Sequence, residues 1–467
     1  MGSTDKCERN EIIAKSAVLS LPTETIIYQS LPSSPSDRKS SHLVRCTSVY
    51  RIFISQNHFT DENRPAPLTK KPVHDIIQIT YRNSRRKSFS LFADRSDENR
   101  SGPMPELFWS IPMKALIAMS GGVDSSVAAY FMKCRGYDCE GVTMRLFHNE
   151  DIGRSSHGTC CSEQDIEDAS EVAFALDIPY SVLDYGEDFK DKIIEKFVRT
   201  YENGGTPNPC IDCNRHMKFD KLLRAAKERG ADVIVTGHYA RVEQDSRTGR
   251  YLLKKALDES KDQSYVLYML TQEQLAHTVF PLGTMQKSEI RKIAEDEGFV
   301  TARKRDSQDI CFVPDGDYAG FIEQYGGKKY PHGDFIDTKG NILGEHAGIV
   351  RYTVGQRKGL GVSSSERLYV TKIDPVDNTV TLSHGEELYT DKLKAGDINL
   401  ISVMKIEQPM RVTAKLRYRQ KEQPATAVQT DEDTLRIEFD EPQRAVTKGQ
   451  AVVLYDGDTV VGGGTIK

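Results

Sequence analysis

Between residues 113 and 312 short apolar runs alternate with apolar positions at helical spacing. Residues 114–119 form a run the length of a buried strand. Residues 127–137 carry apolar side chains at helical intervals, and 138–146 reads as a second strand. Ile166, Ala169, Val172, Ala173 and Leu176 mark the buried face of a helix that Ser162 is placed to cap. A third strand is expected over 178–183, helices over 188–201 and 221–229, and a fourth strand over 231–236. This alternation predicts a mostly parallel sheet with ligands at the carboxyl ends of its strands.

From about residue 315 the helical period fades. Residues 335–343 predict a hairpin with a Lys-Gly-Asn turn, 348–354 and 367–373 predict strands, and 374–378 a turn. Over 411–419, Val412, Ala414, Leu416 and Tyr418 face one way, and Arg411, Lys415, Arg417 and Arg419 the other. That is the pattern of a small barrel strand with a basic outer stripe, suited to a phosphate backbone. A last hairpin turns at 455–458. Residues 1–112 are rich in Ser, Pro, Arg and Asn and hold no period, so a poorly structured, dispensable extension is expected there. Asp5, Glu8, Glu11 and Glu24 speak against a transit peptide. The expected division is a 1–112 extension, a 113–312 α/β domain, a 313–386 small β domain and a 387–467 β-barrel.

With 38% hydrophobic and 28% charged residues, the composition is that of an ordinary soluble globular chain. No apolar run approaches the roughly 18 residues of a membrane span, and a cytoplasmic protein without membrane contact is expected. The net charge of −5 excludes a global basic field, so any nucleic-acid contact must come from a local patch. The nine cysteines are odd in number and scattered, which favours reactive or metal-binding thiols over a disulfide scaffold.

The chemistry begins with Ala118-Met119-Ser120-Gly121-Gly122-Val123-Asp124-Ser125. A strand, a glycine turn and a helix start together make an anion site, since backbone N–H groups and the helix dipole point at one place. Glycine lets a phosphate approach closely. The lysine and spacing of a Walker A loop are missing. Ser120 to Ser125 resembles instead the pyrophosphate loop of the PP-loop ATP pyrophosphatases, which adenylate a carbonyl oxygen. Met144 and Gly237 lie at neighbouring strand ends. Cys160 and Cys161, with His157, do not complete a metal set and are expected to pack at a helix start. Residues 204–214, Gly-Gly-Thr-Pro-Asn-Pro-Cys-Ile-Asp-Cys-Asn, predict a rigid loop whose prolines fix the backbone ahead of Cys210 and Cys213. His216, Lys218 and Lys221 follow, and cations favour the nucleophilic thiolate. Cys311 follows Arg303, Lys304 and Arg305. Three readings stand side by side: a Cys-x-x-Cys redox pair or half zinc site, a sulfur-transfer pair of Cys213 with Cys311, and an iron–sulfur cluster held by Cys210, Cys213 and Cys311. The absence of a second Cys-x-x-Cys disfavours a closed zinc site.

Six ordered motifs carry a resemblance over residues 113–467: Ala118 to Ser125, Thr206-Pro-Asn-Pro209 with Cys213-Asn214, Thr236-Gly-His-Tyr-Ala240, Lys261-Asp-Gln-Ser-Tyr265, residues 307–312, and Tyr352 to Gly361. The chain resembles the tRNA-specific 2-thiouridylases, a PP-loop family that thiolates the wobble uridine of tRNA. The resemblance implies a Rossmann-type PP-loop domain, a small β domain and a C-terminal barrel. It implies ATP at Ala118 to Ser125, Met144 and Gly237, Cys213 as nucleophile, and Cys311 as the persulfide carrier. It implies tRNA contacts at His238, Lys261, Asp262, Gln263, Arg417, Tyr418 and Gln450. A monomer, a persulfide donor protein and magnesium, with Asp124 as one contact, are expected, as is movement of the 204–214 loop. Where one common form of the family has aspartate, this chain has Cys210, which keeps the iron–sulfur reading open. Two rivals remain: a PP-loop ligase with another acceptor, and a non-catalytic RNA-binding or thiol-relay protein.

Overall fold

The structure, a computed structural model, describes residues 76–83, 87–94, 112–147, 163–306, 310–313 and 315–467. The chain divides into two units, Met1–Ile111 and Pro112–Lys467. In the first unit Ile76–Asn83 pairs antiparallel with Lys87–Asp94, two strands that the sequence reading did not assign. The remaining expectation for 1–111 lies outside the described residues, as do Ser162, Cys160, Cys161, His157 and residues 307–309.

The second unit opens with a five-stranded sheet. Its strands are β1 (Lys114–Ala118), β2 (Asp138–Arg145), β3 (Tyr180–Asp184), β4 (Val233–Val235) and, further along, Thr278–Val279. They run β3-β2-β1-β4 with Thr278–Val279 at the far edge, every pairing parallel. Leu116 and Ile117 are both fully buried, because helices cover both faces of a parallel sheet. The edge strand is too short to show any period, which is why the sequence reading missed it.

Two helix starts differ from expectation. Helix α1 (Val123–Cys134) begins four residues before the expected 127. Gly122 is extended (φ −102°, ψ 162°) and the helix starts at once, with no side-chain cap; the Ser125 and Ser126 hydroxyls instead donate back to the Gly122 carbonyl, 3.0 Å each. Past α2 (Glu163–Ala175), residues 186–202 form the expected helix with a π-helical turn, Lys190–Ile194. Residues 209–228 form one continuous helix, so Cys210 and Cys213 are helical rather than in a loop. Pro209 opens it at a position where a missing N–H costs nothing. Asn214–Lys221, directly after Cys213, is π-helical, a form concentrated at functional sites.

The middle of the chain is not purely β. Tyr318–Gly326 is an α-helix ended by Gly327 at φ 59°, and Ile349–Arg351 is a 3-10 turn where a strand was expected. Gly333–Ile336, Ile342–His346, Tyr369–Asp374 and Thr379–Ser383 make a four-stranded sheet. Six strands then close a barrel: Tyr389–Leu400, Thr434–Arg444, Gln423–Asp431, Met410–Lys415, Ala451–Asp456 and Thr459–Ile466, the last pairing back onto the first. A hairpin from the α/β part, Arg241–Gln244 with Tyr251–Lys254, joins this barrel through Thr459 opposite Lys254. The expected strand 411–419 stops at Lys415. Val412, Ala414 and Leu416 are buried as expected, whereas Tyr418, past the bend, is exposed. One apolar cluster runs from Leu116 through Tyr265 and Tyr268 to Val453 and Tyr455, tying the α/β part to the barrel.

Candidate active site

The cradle lies where β1 ends. Ser125 Oγ accepts from the Ser120 N–H at 3.1 Å, which folds the loop back on the helix start. Gly121 has φ +68°, and a Cβ there would come within 2.2 Å of the Asp165 carbonyl oxygen, so α2 packs against its α-carbon. Gly122 differs: its Cβ would meet only Ser120 Oγ, at 3.5 Å, an ordinary contact. The fold requires the first glycine, and the second leaves its outer side open to a ligand. Gly237, after β4, packs so close to α1 that a Cβ would lie 2.8 Å from the Asp124 carbonyl carbon and the Ser125 nitrogen.

Charges frame the cradle. Lys287 Nζ donates to both oxygens of Asp124, at 2.8 and 2.7 Å, and pairs with Asp306 at 3.0 Å. The Tyr239 hydroxyl also donates to Asp124, at 2.6 Å; burial and this carboxylate push the phenol far above its ordinary range. Burial raises the Asp306 carboxyl, but hydrogen bonds from Lys261 and Lys287 outweigh it and hold the group down at about 2. Lys304 Nζ donates to the Gly121 carbonyl at 2.9 Å and to Asp165 at 2.6 Å, and pairs with Asp168. Sequence reasoning missed Lys287 and Tyr239, and took Lys304 only as a cation near Cys311.

A cavity of about 1010 Å³ opens here. Its wall includes Ala118 to Ser125, Met144, Gly237, His238, Lys261, Asp262, Gln263, Cys210, Cys213, Cys311 and Tyr418. Both sulfur-bearing positions thus share one space with the cradle. Cys213 is buried on its helix, and Cys311 is half-buried. Next to Cys311, Phe312 is fully buried against Phe189, Phe197 and Phe321, with ring centroids 5.8, 5.2 and 5.2 Å away. Burying a phenylalanine contributes about 1.5–3 kcal/mol, so this ring anchors its segment.

Comparison with known proteins now decides the family. Family models described as tRNA methyl transferase HUP domain, PRC-barrel domain and aminomethyltransferase beta-barrel domain match residues 113–315, 319–384 and 390–466. A Clostridioides difficile (strain 630) protein named tRNA-specific 2-thiouridylase MnmA is 52% identical over 354 residues, 76% of this chain and 98% of its own. A protein of the same name from Clostridium acetobutylicum is 48% identical, over 76% of this chain and 99% of its own. The chain belongs to the tRNA-specific 2-thiouridylase family. Among solved structures, a 4-thiouridine synthetase–RNA complex with bound ATP is 21% identical over 46% of this chain and 50% of its own, at a TM-score of 0.29, too loose a match to carry an argument.

Within this 2-thiouridylase-family chain, the positions expected to touch RNA divide. His238 and Tyr418 line the cavity. The His238 ring packs on Phe219 and Phe280, with Nδ1 2.8 Å from Thr236 Oγ1; burial, with the Lys218 charge, holds it well below the ordinary histidine range and therefore neutral. Lys261 is paired with Asp306 at 2.8 Å. Asp262 is buried and accepts from the Ala256 N–H and from the Ser264 hydroxyl, so it shapes its own loop. Gln263 Oε1 accepts from the Tyr239 N–H, fixing the turn after β4. Arg417 and Gln450 are outside the cavity wall: Arg417 donates to the Ala445 carbonyl, and Gln450 to the carbonyls of Thr206 and Pro207. Arg411 is held by Asp440 through two hydrogen bonds, so the expected basic stripe is partly neutralised.

Metal chemistry finds no ready site. Among the described residues no three His, Cys, Asp or Glu side chains come together as a metal-holding group. Cys210, Cys213 and Cys311 are not brought together as such a group, and the iron–sulfur reading is not favoured. Both Asp124 oxygens accept from Lys287, and the expected magnesium contact at that carboxylate is not shown. Among the described residues no helix is long and apolar enough to cross a membrane.

Proposed function

We propose that this chain catalyses ATP-dependent 2-thiolation of the wobble uridine of tRNA. What supports the reading is the single cavity lined by the cradle, Cys213 and Cys311. The uracil C2 oxygen is a poor leaving group, and ATP supplies an adenylyl group that converts it to one, with release of pyrophosphate. The cradle N–H groups and the α1 dipole hold the phosphates, and neutral His238 lies beside the base. A persulfide on Cys311, loaded by a donor protein, gives its outer sulfur to C2 as AMP departs. The Cys213 thiolate then attacks Cys311 Sγ, forming a Cys213–Cys311 disulfide and freeing 2-thiouridine; an external dithiol reduces the disulfide for the next turn. Covalent steps of this kind divide a hard substitution into easier ones.

Magnesium, when bound, would balance the charge of the phosphates. The test uses purified protein, a tRNA transcript, ATP and a persulfide donor. AMP, pyrophosphate and 2-thiouridine are expected in wild type, with thiolation abolished in C213S and in C311S. A PP-loop ligase with another acceptor would keep its turnover in both variants. A non-catalytic RNA-binding or thiol-relay protein would leave ATP uncleaved.

A further inference from the structure

Lys287 touches two sites at once. Its ammonium lies 2.7 Å from Asp124, in the cradle, and 3.0 Å from Asp306, which stands five residues ahead of Cys311. The side chain is only 10% exposed. Its backbone N–H donates to Asp258 at 3.0 Å, so the ammonium can change partners only by rotating the side chain. Asp306 is held in addition by Lys261 at 2.8 Å and Arg291 at 2.7 Å. Arg291 also donates to the Lys304 carbonyl, at 3.0 Å. Asp306 is thus fixed ionically five positions before Cys311 in the chain, and Phe312, directly after it, is fixed by burial of its ring. The thiol sits between an anchor of charge and an anchor of packing.

We propose that the Lys287–Asp306 pair couples occupancy of the cradle to the placement of Cys311, with Lys287 and Asp306 acting as positioning residues. The proposal rests on the reading of the cradle as an ATP site. Phosphates entering beside Asp124 add negative charge within reach of an ammonium already shared by two carboxylates. Lys287 turns toward them, its hold on Asp306 weakens, and the placement of Cys311 changes with it. The chemistry has a use for such an order of events. A persulfide is reactive, and a base that has not been adenylated cannot accept its sulfur. Lys261, on the same carboxylate and in the wall of the same cavity, has a second influence on the same anchor.

The experiment measures alkylation of Cys311 by iodoacetamide in the full chain, by peptide mass spectrometry, with and without saturating α,β-methylene-ATP. Binding of the analogue is followed separately by calorimetry. In wild type the analogue is expected to change the Cys311 rate about fivefold or more, the lower end of ordinary coupling between sites. In D306N the analogue still binds and the rate change disappears; D306E restores it. K287Q removes the rate change as well, and decides the matter should D306N fail to fold. A D306N response equal to wild type overturns the proposal. So does a wild-type Cys311 that ignores bound analogue. Failure of the analogue to bind wild type would show in the calorimetry alone and would remove the ATP reading itself, and the proposal with it.

Discussion

Gln450 Nε2 donates to the carbonyl of Thr206 at 3.0 Å and to that of Pro207 at 3.3 Å. The Thr206 N–H in turn donates to the Lys448 carbonyl at 2.8 Å. The C-terminal barrel therefore holds the loop that leads directly into the helix of Cys213. The hold is incomplete, since Thr206 Oγ1 is buried with no hydrogen-bond partner.

Removing the amide tests what the contact does. Q450A should lower stability by about 1 kcal/mol, the net worth of a lost hydrogen bond. ATP cleavage in the presence of tRNA should persist while thiolation slows by about tenfold, because the loop no longer fixes Cys213. Single-turnover assays of AMP and of 2-thiouridine separate the two. If tRNA affinity falls sharply and both products decline together, Gln450 acts on the RNA and not on the loop.

The two glycines of the cradle should fail differently. In G121A a Cβ is forced against the Asp165 carbonyl at a positive φ, which combines crowding with backbone strain and should cost about 2–5 kcal/mol. G122A adds only an ordinary contact and should melt like wild type. It should nonetheless lose ATP affinity by about tenfold or more, because the methyl fills the side left for a phosphate. Thermal melts and calorimetric titration with ATP distinguish them. Equal destabilisation of both variants would show that the second glycine is also required by the fold.

Local features were legible in the sequence and remote ones were not. The cradle could be read because its strand, turn and helix start are adjacent, and the parallel sheet followed from alternation alone. Cys213 stands out in the sequence, but its element does not: two prolines suggest a loop, yet proline at the first helical position marks a start equally well. Tyr418 was misplaced because the strand bends after Lys415, and alternation carries no information past a bend. Lys287 could not have been found, since its partner Asp124 lies 163 residues away and no spacing rule connects them. Asp262 and Gln263 were picked as RNA contacts by motif, and their side chains bond within the chain.

The basic stripe expected on the barrel makes a separate prediction. Arg411 is already matched by Asp440 with hydrogen bonds of 2.8 and 2.7 Å, whereas Arg419 lines the cavity. R411A should leave tRNA affinity nearly unchanged. R419A should weaken it and reduce the slope of log affinity against log salt by about 1, the signature of one lost phosphate contact. Filter binding across a salt series reads both. A slope change in R411A as large as in R419A would show that Asp440 yields Arg411 to the RNA.

Asp306 predicts an acid dependence with a definite sign. Its carboxyl is held at about 2 in the folded chain, below its ordinary 3.8. A depressed pKa stabilises the fold above the unfolded value, and that stabilisation is lost as pH falls from about 4 toward about 2. The shift amounts to about 2 kcal/mol at neutral pH, at a carboxylate whose side chain is about three-quarters shielded from water. D306N should therefore be less stable than wild type by about that much at pH 7. The gap should narrow steadily below pH 4, because the wild-type carboxyl is then becoming neutral too. Urea unfolding of both proteins at pH 7 and pH 3 measures it. A gap that stays constant between the two would mean that the carboxylate charge contributes nothing, and that Asp306 serves only as a neutral acceptor for Lys261, Lys287 and Arg291.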